Sequence, residues 1–115
     1  MLSRRYRFHS RGGVNYVYRH GETIHNANLG LIFMPNQRRM RRFAVVVSKK
    51  VLKSAVGRNR IRRRIYEAIR LEDVEQFVPM DGIFIVHSAN FLKIPFREIQ
   101  EIVHELLERS QGNMV

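Results

Sequence analysis

The chain has 115 residues, enough for one domain with a single hydrophobic core, and we expect that domain to span residues 1–115. It contains no cysteine, which excludes disulfides and thiolate metal sites. No apolar run approaches the roughly 18 to 20 residues that a membrane-spanning helix needs. We therefore expect a cytoplasmic protein with no membrane partner.

The formal net charge is +11, and it is unevenly distributed along the chain. Residues 1–70 contain 18 Lys and Arg but only two acidic residues, whereas residues 71–115 contain three basic and eight acidic residues. Clustered positive charge of this kind is typical of a surface that binds a polyanion. The first two thirds of the chain are thus expected to face nucleic acid.

Residues 1–11 form a basic arm with interleaved aromatic rings, a composition that suits phosphate pairing and base stacking. A flexible cationic terminus remains the alternative interpretation. The sequence predicts Ser10 as the N-cap of a short helix that continues to about Arg19 and is closed by Gly21.

In that first helix, Val14, Val17 and Tyr18 are expected to share the buried side, which leaves Tyr16 more exposed. Four segments have the composition of strands: 23–25, 29–34, 43–48 and 83–87. The third is almost continuously apolar, which favours a central strand covered on both faces.

Pro35-Asn36-Gln37 begins a turn that leads into a basic loop. The cations of this loop are Arg38, Arg39, Arg41 and Arg42. Contact with RNA and simple solvation are equally compatible with its sequence.

A helical apolar period runs beneath the densest arginine cluster, in residues 57–70. Ile61, Ile65 and Ile69 recur at i, i+4 and i+8, so one narrow stripe is expected to pack against a sheet. The outward positions are Asn59, Arg63, Tyr66 and Arg70 on one line, Arg60, Arg64 and Glu67 on the next, and Arg62 on the flank.

A solvated helix face is the ordinary interpretation of such a charge run, but only Glu67 supplies the opposite sign here. Like charges at i, i+4 destabilise an isolated helix by roughly a few tenths of a kcal/mol per pair. Phosphates that neutralise the row remove this cost, so we favour a nucleic-acid face.

After Leu71 the chain becomes acidic, and residues 79–82 have the composition of a turn into the fourth strand. Residues 90–94 are expected to be a loop, and Pro95 fits the first turn of a closing helix that Gly112 would end. The apolar stripe of this helix comprises Phe96, Ile99, Val103, Leu106 and Leu107. Its outward glutamates are Glu98, Glu101, Glu105 and Glu108.

Together these segments predict an α+β domain, a two-layer sandwich of approximately α-β-β-β-α-β-α order around one mixed sheet. The sequence offers no catalytic site. The five histidines lack the spacing of a metal or acid–base motif, and no carboxylate cluster for Mg²⁺ lies in the basic region. We expect no catalytic residue, no metal ligand and no cofactor bound by the protein alone.

The segment Arg58-Asn59-Arg60-Ile61-Arg62-Arg63, preceded by Ser48-Lys49-Lys50 and Ala55-Val56, resembles the signature of the bacterial ribonuclease P protein component. The resemblance extends over nearly the whole chain. Tyr66 departs from it, because the family often has another basic residue there.

The resemblance implies the ribosomal protein S5 domain 2-like fold, with the arginine helix in a left-handed β-α-β crossover, although such crossovers are nearly always right-handed. It implies a protein subunit that binds a catalytic RNA and the 5′ leader of precursor tRNA. The RNA subunit would hold Mg²⁺ and hydrolyse the phosphodiester that releases the leader. DNA is not an expected partner.

Site residues follow from the same resemblance. Residues expected to dock the catalytic RNA are Arg58, Asn59, Arg60, Arg62 and Arg63, extended by Lys49, Lys50, Lys53 and Arg70. Stacking candidates for the leader are Phe8, Tyr16 and Tyr18, while Val14 and Ile32 occupy positions where related chains often have aromatic rings. Arg58 projects toward the Ile65 side, so it would alternatively pin the start of the helix.

Three other functions remain open at this point. A ribosomal or general RNA-binding protein would use the same cations. A DNA-binding regulator would insert the arginine helix into a major groove, but such regulators usually dimerise, and we find no dimerisation heptads. A protein-only ribonuclease would need catalytic histidines.

Overall fold

The computed structural model describes residues 2–8 and 11–114, with the side chain of Arg11 outside the description. Its helices are α1 (Arg11–His20), α2 (Ala55–Arg70) and α3 (Phe96–Met114). Its strands are β1 (Glu22–Asn26), β2 (Leu29–Pro35), β3 (Arg41–Val47) and β4 (Met80–Val86). Short 3-10 helices span Arg4–Tyr6, Val74–Gln76 and Ala89–Leu92. The predicted α+β element order is confirmed. Ser10, the predicted N-cap of α1, lies outside the described residues.

The strands form one mixed sheet in the order β1-β2-β4-β3. β2 is antiparallel to both β1 and β4, whereas β3 is parallel to β4. Helix α2 therefore connects two adjacent parallel strands. The left-handed course of this crossover stays a prediction.

β3 lies at an edge of the sheet, so the prediction of a central strand was wrong. The apolar run of β3 indicates that both faces of the strand are covered. An edge strand and a central strand can both be covered in this way, so the pattern does not distinguish them. The free edge is protected instead by other parts of the chain. The Phe8 N–H donates to the Phe43 carbonyl at 2.6 Å, and the Val45 N–H donates to the Tyr66 hydroxyl oxygen at 3.3 Å.

One face of the sheet packs against α2 and α3. The buried stripe of α2 consists of Ile61, Ile65, Ala68 and Ile69, and that of α3 includes Ile99, Val103, Leu106 and Leu107. Each fully buried isoleucine or leucine contributes roughly 1.5–3 kcal/mol. Because this stripe fixes the rotation of α2, the opposite side of the helix and its arginines must face outward.

Helix α1 lies on the other face of the sheet, where Val17 packs with Phe8, Ile32, Ala44 and Ile83. Val14 is half-buried against this cluster. Tyr18 was expected on the buried side of α1, but 42% of it is exposed. A tyrosine adjacent to Val17 along the helix points about 100° away from it, which here carries the ring off the sheet.

The predicted helix-closing role of Gly21 is confirmed, but the reason is space. Its N–H donates to the Val17 carbonyl at 2.8 Å, and its φ angle is not positive. A Cβ at Gly21 would lie 2.7 Å from the Val17 carbonyl oxygen and 2.7 Å from Ile32 Cγ2. The residue therefore permits the close approach of α1 to β2.

Two predicted boundaries were wrong. β4 begins at Met80 because Met80 pairs with Pro35 and Arg41, and these neighbours override the turn-like composition. Helix α3 continues through Gly112 to Met114 because the Asn113 amide donates to the Glu22 carboxylate at 2.6 Å, and Met114 packs on the core. The predicted boundaries relied on residue propensities alone, which take no account of these tertiary contacts.

Candidate nucleic-acid interface

The loop that precedes α2 is rigidly connected to the helix. The Ser54 hydroxyl accepts a hydrogen bond from the Gly57 N–H at 3.0 Å, as an N-cap does. The Arg58 guanidinium donates to the carbonyls of Leu52 and Lys53 at 3.0 and 2.7 Å. Arg58 thus pins the loop to the helix start, the structural role that its projection suggested. Its guanidinium positions the neighbouring lysines.

Arg64 was expected on an outward line, but it has a structural role. Its guanidinium donates to the carbonyl of Phe91 and, at 2.6 Å, to that of Ile94. Partial burial, followed by the charge of Arg60, lowers the pKa of Arg64. This side chain therefore joins α2 to the segment before α3.

Arg60 and Arg63 are exposed on the outward side of α2. Within residues 2–8 and 11–114, neither guanidinium has a hydrogen-bond or ion-pair partner. Arg62 is half-buried and donates to the Asn59 side-chain oxygen at 2.7 Å. Arg60 and Arg63 thus form the part of the row that is free to bind an anion.

The positive charge at the C-terminal end of the arginine row in α2 is neutralised within the protein. The Arg70 Nε donates to Glu67 at 2.9 Å. The pKa of the Glu67 carboxyl is lowered to about 2, and the hydrogen bond from Arg70 is the largest cause. Positive charge is consequently concentrated in the N-terminal half of α2.

The dipole of α2 adds to this concentration. The first turn of the helix contains no acidic residue. A helix N-terminus carries partial positive charge, so the early arginines are unfavourable there and an anion is favourable. Lys49, Lys50 and Lys53 are exposed in the adjacent loop. The arginines, the lysines and the dipole all favour a bound phosphate at this end of the molecule.

A groove of about 730 Å³ lies beside α1, at the opposite end of the sheet. Tyr16 lines it and is 55% exposed. Phe8 also lines it but is only 6% exposed, and the Arg42 guanidinium carbon lies 4.3 Å from the centre of its ring. Phe8 therefore forms the floor of the groove, and stacking a base on it would require Arg42 to move. Tyr18 is not among the described lining residues.

Two of the four arginines in the basic loop have internal partners. Arg41 donates to the Phe77 carbonyl at 2.7 and 3.0 Å. Arg42 forms a bidentate pair with Asp81 at 2.9 and 3.0 Å. The sequence did not reveal these partners because they lie about 40 residues away along the chain.

The described histidines are dispersed, apart from one pair. His25 and His87 are both exposed, and their ring centres lie 5.6 Å apart, a proximity that their sequence spacing did not indicate. His20 packs on Tyr16, and His104 lies between Glu72 and Glu108. His9 lies outside the described residues. In residues 2–8 and 11–114, no group of three or more His, Cys, Asp or Glu side chains is arranged to hold a metal ion.

A family model described as Ribonuclease P matches residues 2–111. The chain belongs to the ribonuclease P protein family. The ribonuclease P protein component of Roseiflexus castenholzii is 38% identical over 109 residues, covering 95% of this chain and 88% of that protein. The component of Clostridioides difficile is 34% identical over 94 residues and covers 82% of each.

Solved ribonuclease P proteins share the fold. The Thermotoga maritima protein superposes with a TM-score of 0.80 at 24% identity, covering 90% of this chain and 96% of that one. The Staphylococcus aureus protein gives 0.76 at 23% identity, with 92% and 95% covered. The fold expected from the ribonuclease P resemblance is confirmed. None of the helices in residues 2–8 and 11–114 is long and apolar enough to cross a membrane.

Proposed function

We propose that this chain is the protein subunit of a ribonuclease P ribonucleoprotein and assists removal of the 5′ leader from precursor tRNA. The observation that carries the proposal is that Arg60 and Arg63 are exposed and have no partner among the described residues, whereas the other arginines of α2 have one. Guanidinium groups held on a rigid helix bind phosphates without first breaking internal ion pairs.

The catalytic RNA would dock on the N-terminal half of α2. Arg60 and Arg63 contact its phosphates directly, together with the exposed lysines of the preceding loop, Lys49, Lys50 and Lys53. Arg58 and Asn59 act mainly by holding the loop and Arg62 in position. Arg70 contributes less than the sequence suggested, because Glu67 accepts its hydrogen bonds.

Catalysis is assigned to the RNA subunit, which would also hold the Mg²⁺ ions that activate water and stabilise the leaving oxygen. The chemistry of the side chains supports this division. Glu22 accepts a hydrogen bond from Asn113, Glu67 pairs with Arg70, and no group of three or more described His, Cys, Asp or Glu side chains is arranged to hold a metal ion. The protein's own residues bind and orient RNA and reduce the repulsion between two polyanions. This work is proposed to take place in the bacterial cytoplasm.

The single-stranded leader would enter the groove beside α1, where the exposed Tyr16 ring offers a surface for base stacking. Phe8 supports the groove floor, and Tyr18 lies outside the groove lining. The N-terminal half of α2 follows the end of β3, whereas the groove is lined by residues at the start of β3 and β4, so the two lie at opposite ends of the sheet. One protein can therefore hold the catalytic RNA and the substrate at the same time.

Reconstitution at low magnesium tests this function. The purified protein is mixed with a bacterial ribonuclease P RNA and a leader-bearing precursor tRNA, and each component is omitted in turn. We expect a defined 5′ cut that requires the RNA and is strongly promoted by the protein. Unchanged cleavage despite RNA binding would instead favour a general RNA-binding protein. Cleavage without the RNA subunit, lost in His25→Ala or His87→Ala, would favour a protein-only ribonuclease.

A further inference from the structure

Two exposed histidines come together beside the turn between β1 and β2. His25 lies in β1, and His87 follows the end of β4. Their ring centres are 5.6 Å apart, with an angle of 39° between the ring planes. Neither residue belongs to α2, and neither is among the described residues that line the groove beside α1. The pair is therefore separate from both surfaces to which RNA binding has been assigned.

Gly30 lies between the two rings. It pairs directly with His25 across β1 and β2, so the two residues face the same side of the sheet. A Cβ at Gly30 would lie 3.2 Å from the Nε2 atom of His25 and 3.2 Å from the Nε2 atom of His87. Both nitrogens thus approach one point, and they are at most twice that distance apart. A side chain at this position would stand between them.

Backbone contacts hold both histidines in place. The turn residues Ala27 and Asn28 have φ angles of 48° and 67°, as in the tight hairpin turns whose twist matches that of the flanking strands. The His87 N–H donates to the Asn28 carbonyl at 2.9 Å. The Arg109 guanidinium donates to the His25 carbonyl at 2.9 Å. These bonds fix the backbone positions from which the two rings project.

An imidazole pair of this geometry suits a divalent transition-metal ion. Neutral imidazole is a good ligand for Zn²⁺, Ni²⁺ and Cu²⁺, whereas Mg²⁺ prefers oxygen ligands. Two nitrogens that share a tetrahedral Zn²⁺ ion, each at about 2.0–2.1 Å from it, are about 3.3 Å apart. Because both rings are exposed, rotation about their side-chain bonds brings the Nε2 atoms to that separation without displacing the core.

The surroundings of the pair are compatible with a bound cation. Arg109, whose guanidinium contacts the His25 carbonyl, is also paired with Glu105 at 3.5 Å. The Glu105 carboxylate accepts a hydrogen bond from the Asn26 amide as well. It therefore offsets the charge of Arg109 beside the histidines. Among the described residues, no third His, Cys, Asp or Glu side chain completes a metal cluster, so water would fill the remaining coordination positions.

We propose that His25 and His87 bind one divalent transition-metal ion, with Zn²⁺ as the reference ion, through their Nε2 atoms. Gly30 is a positioning residue that leaves the space between the two rings open. The ion is a ligand of the protein alone and is distinct from the Mg²⁺ assigned to the RNA subunit. This site departs from the sequence-based expectation of no metal ligand, because the fold and not the sequence spacing brings the two histidines together.

Calorimetric titration of the purified protein with Zn²⁺ at neutral pH tests the site. The protein carries no histidine tag, and its melting temperature is recorded with and without the ion. His25→Ala and His87→Ala each remove one ligand. His104→Gln is the matched control, because it removes an exposed histidine that contacts the carboxylates of Glu72 and Glu108 and so offers the rival place for an ion.

The wild-type protein should bind one Zn²⁺ ion at this pair, and binding should raise its melting temperature. His25→Ala and His87→Ala should each weaken binding by at least about 10-fold, the loss that follows even when a residue that only supports a ligand is removed. His104→Gln should retain the wild-type affinity, and excess Mg²⁺ should not compete. Gly30→Ala keeps both imidazoles but places a methyl group between them, so it should also weaken binding.

Absence of Zn²⁺ binding by the wild-type protein would overturn the site. So would binding that survives in the His25→Ala/His87→Ala double variant or is lost in His104→Gln. Equal affinities of Gly30→Ala and the wild-type protein would overturn the positioning role of Gly30. The inference does not rest on the proposed function, because none of these titrations contains RNA. Failure of RNA-dependent cleavage would likewise leave the metal site intact.

Discussion

The Tyr66 hydroxyl oxygen accepts a hydrogen bond from the Val45 N–H at 3.3 Å, which joins α2 to the free edge of the sheet. Burial raises the pKa of this phenol, which therefore remains protonated at neutral pH. Val45 would otherwise present an unpaired N–H at the strand edge. This bond gives a structural reason for a tyrosine at a position where the family resemblance led us to expect a basic residue.

Tyr66→Phe should consequently lower stability and leave RNA binding unchanged. Loss of one largely buried hydrogen bond is expected to reduce the free energy of unfolding by about 1 kcal/mol. Urea denaturation and RNA titration measure the two effects separately. Weaker RNA binding by a variant of unaltered stability would show that the hydroxyl contacts RNA.

Arg60→Ala and Arg63→Ala should weaken RNA binding without unfolding the protein. If about six cations of the wild-type protein meet irregular RNA phosphates, log affinity falls with log salt at a slope of roughly −4. Each substitution should make that slope shallower by about 0.7. Binding titrations at several salt concentrations measure it, and a wild-type slope near zero would contradict a phosphate-docking surface.

Arg64→Ala, in contrast, should lower the stability of the fold. It removes hydrogen bonds to two backbone carbonyls, those of Phe91 and Ile94, so we expect a loss of about 2–3 kcal/mol in the free energy of unfolding. Arg60→Ala is the matched control, because it removes the same charge one helical turn away. That control should change stability by less than about 0.5 kcal/mol. Equal stabilities of the two variants would argue against an anchoring role for Arg64.

His104 predicts a pH dependence at the acidic end of the molecule. The hydrogen bond to Glu72, followed by the charges of Glu72 and Glu108, raises the pKa of His104, and partial burial opposes them. The protonated ring therefore stabilises the fold fully below its unfolded pKa of about 6.5. This contribution disappears as the pH rises through the higher folded pKa.

The melting temperature should accordingly fall slightly between about pH 6 and pH 8, relative to His104→Gln. The effect is small because the ring is half exposed and solvent screens the pair. Parallel pH profiles of the two proteins would show that the ion pair has no influence on stability.

Local periodicity was sufficient to predict most of the elements. The isoleucine spacing of α2 identified its buried face, and the same period identified that of α3. The position of β3 in the sheet was not predictable, because an apolar strand has the same pattern at an edge as in the centre. The arm of residues 2–8 also docks more firmly than its charge suggested, since Leu2 and Phe8 are buried.

Within the candidate site, the sequence located the basic surface but did not separate anchoring arginines from free ones. Arg58 and Arg64 are bound to backbone carbonyls, whereas Arg60 and Arg63 have no such partner in the described part of the chain, although all four have the same side chain. Charge density is visible in a sequence. The partner of each charge depends on loops that packing brings close, such as the one that contains Phe91.

Cleavage of precursor tRNA at low magnesium by holoenzyme containing the Arg60→Ala/Arg63→Ala double variant tests the central claim most directly. The wild-type protein should promote the 5′ cut strongly. The double variant should fold with an unchanged melting temperature and lose most of that promotion, with recovery at high protein concentration because assembly is weakened. Promotion equal to that of the wild-type protein at limiting concentration would contradict a catalytic-RNA interface on α2.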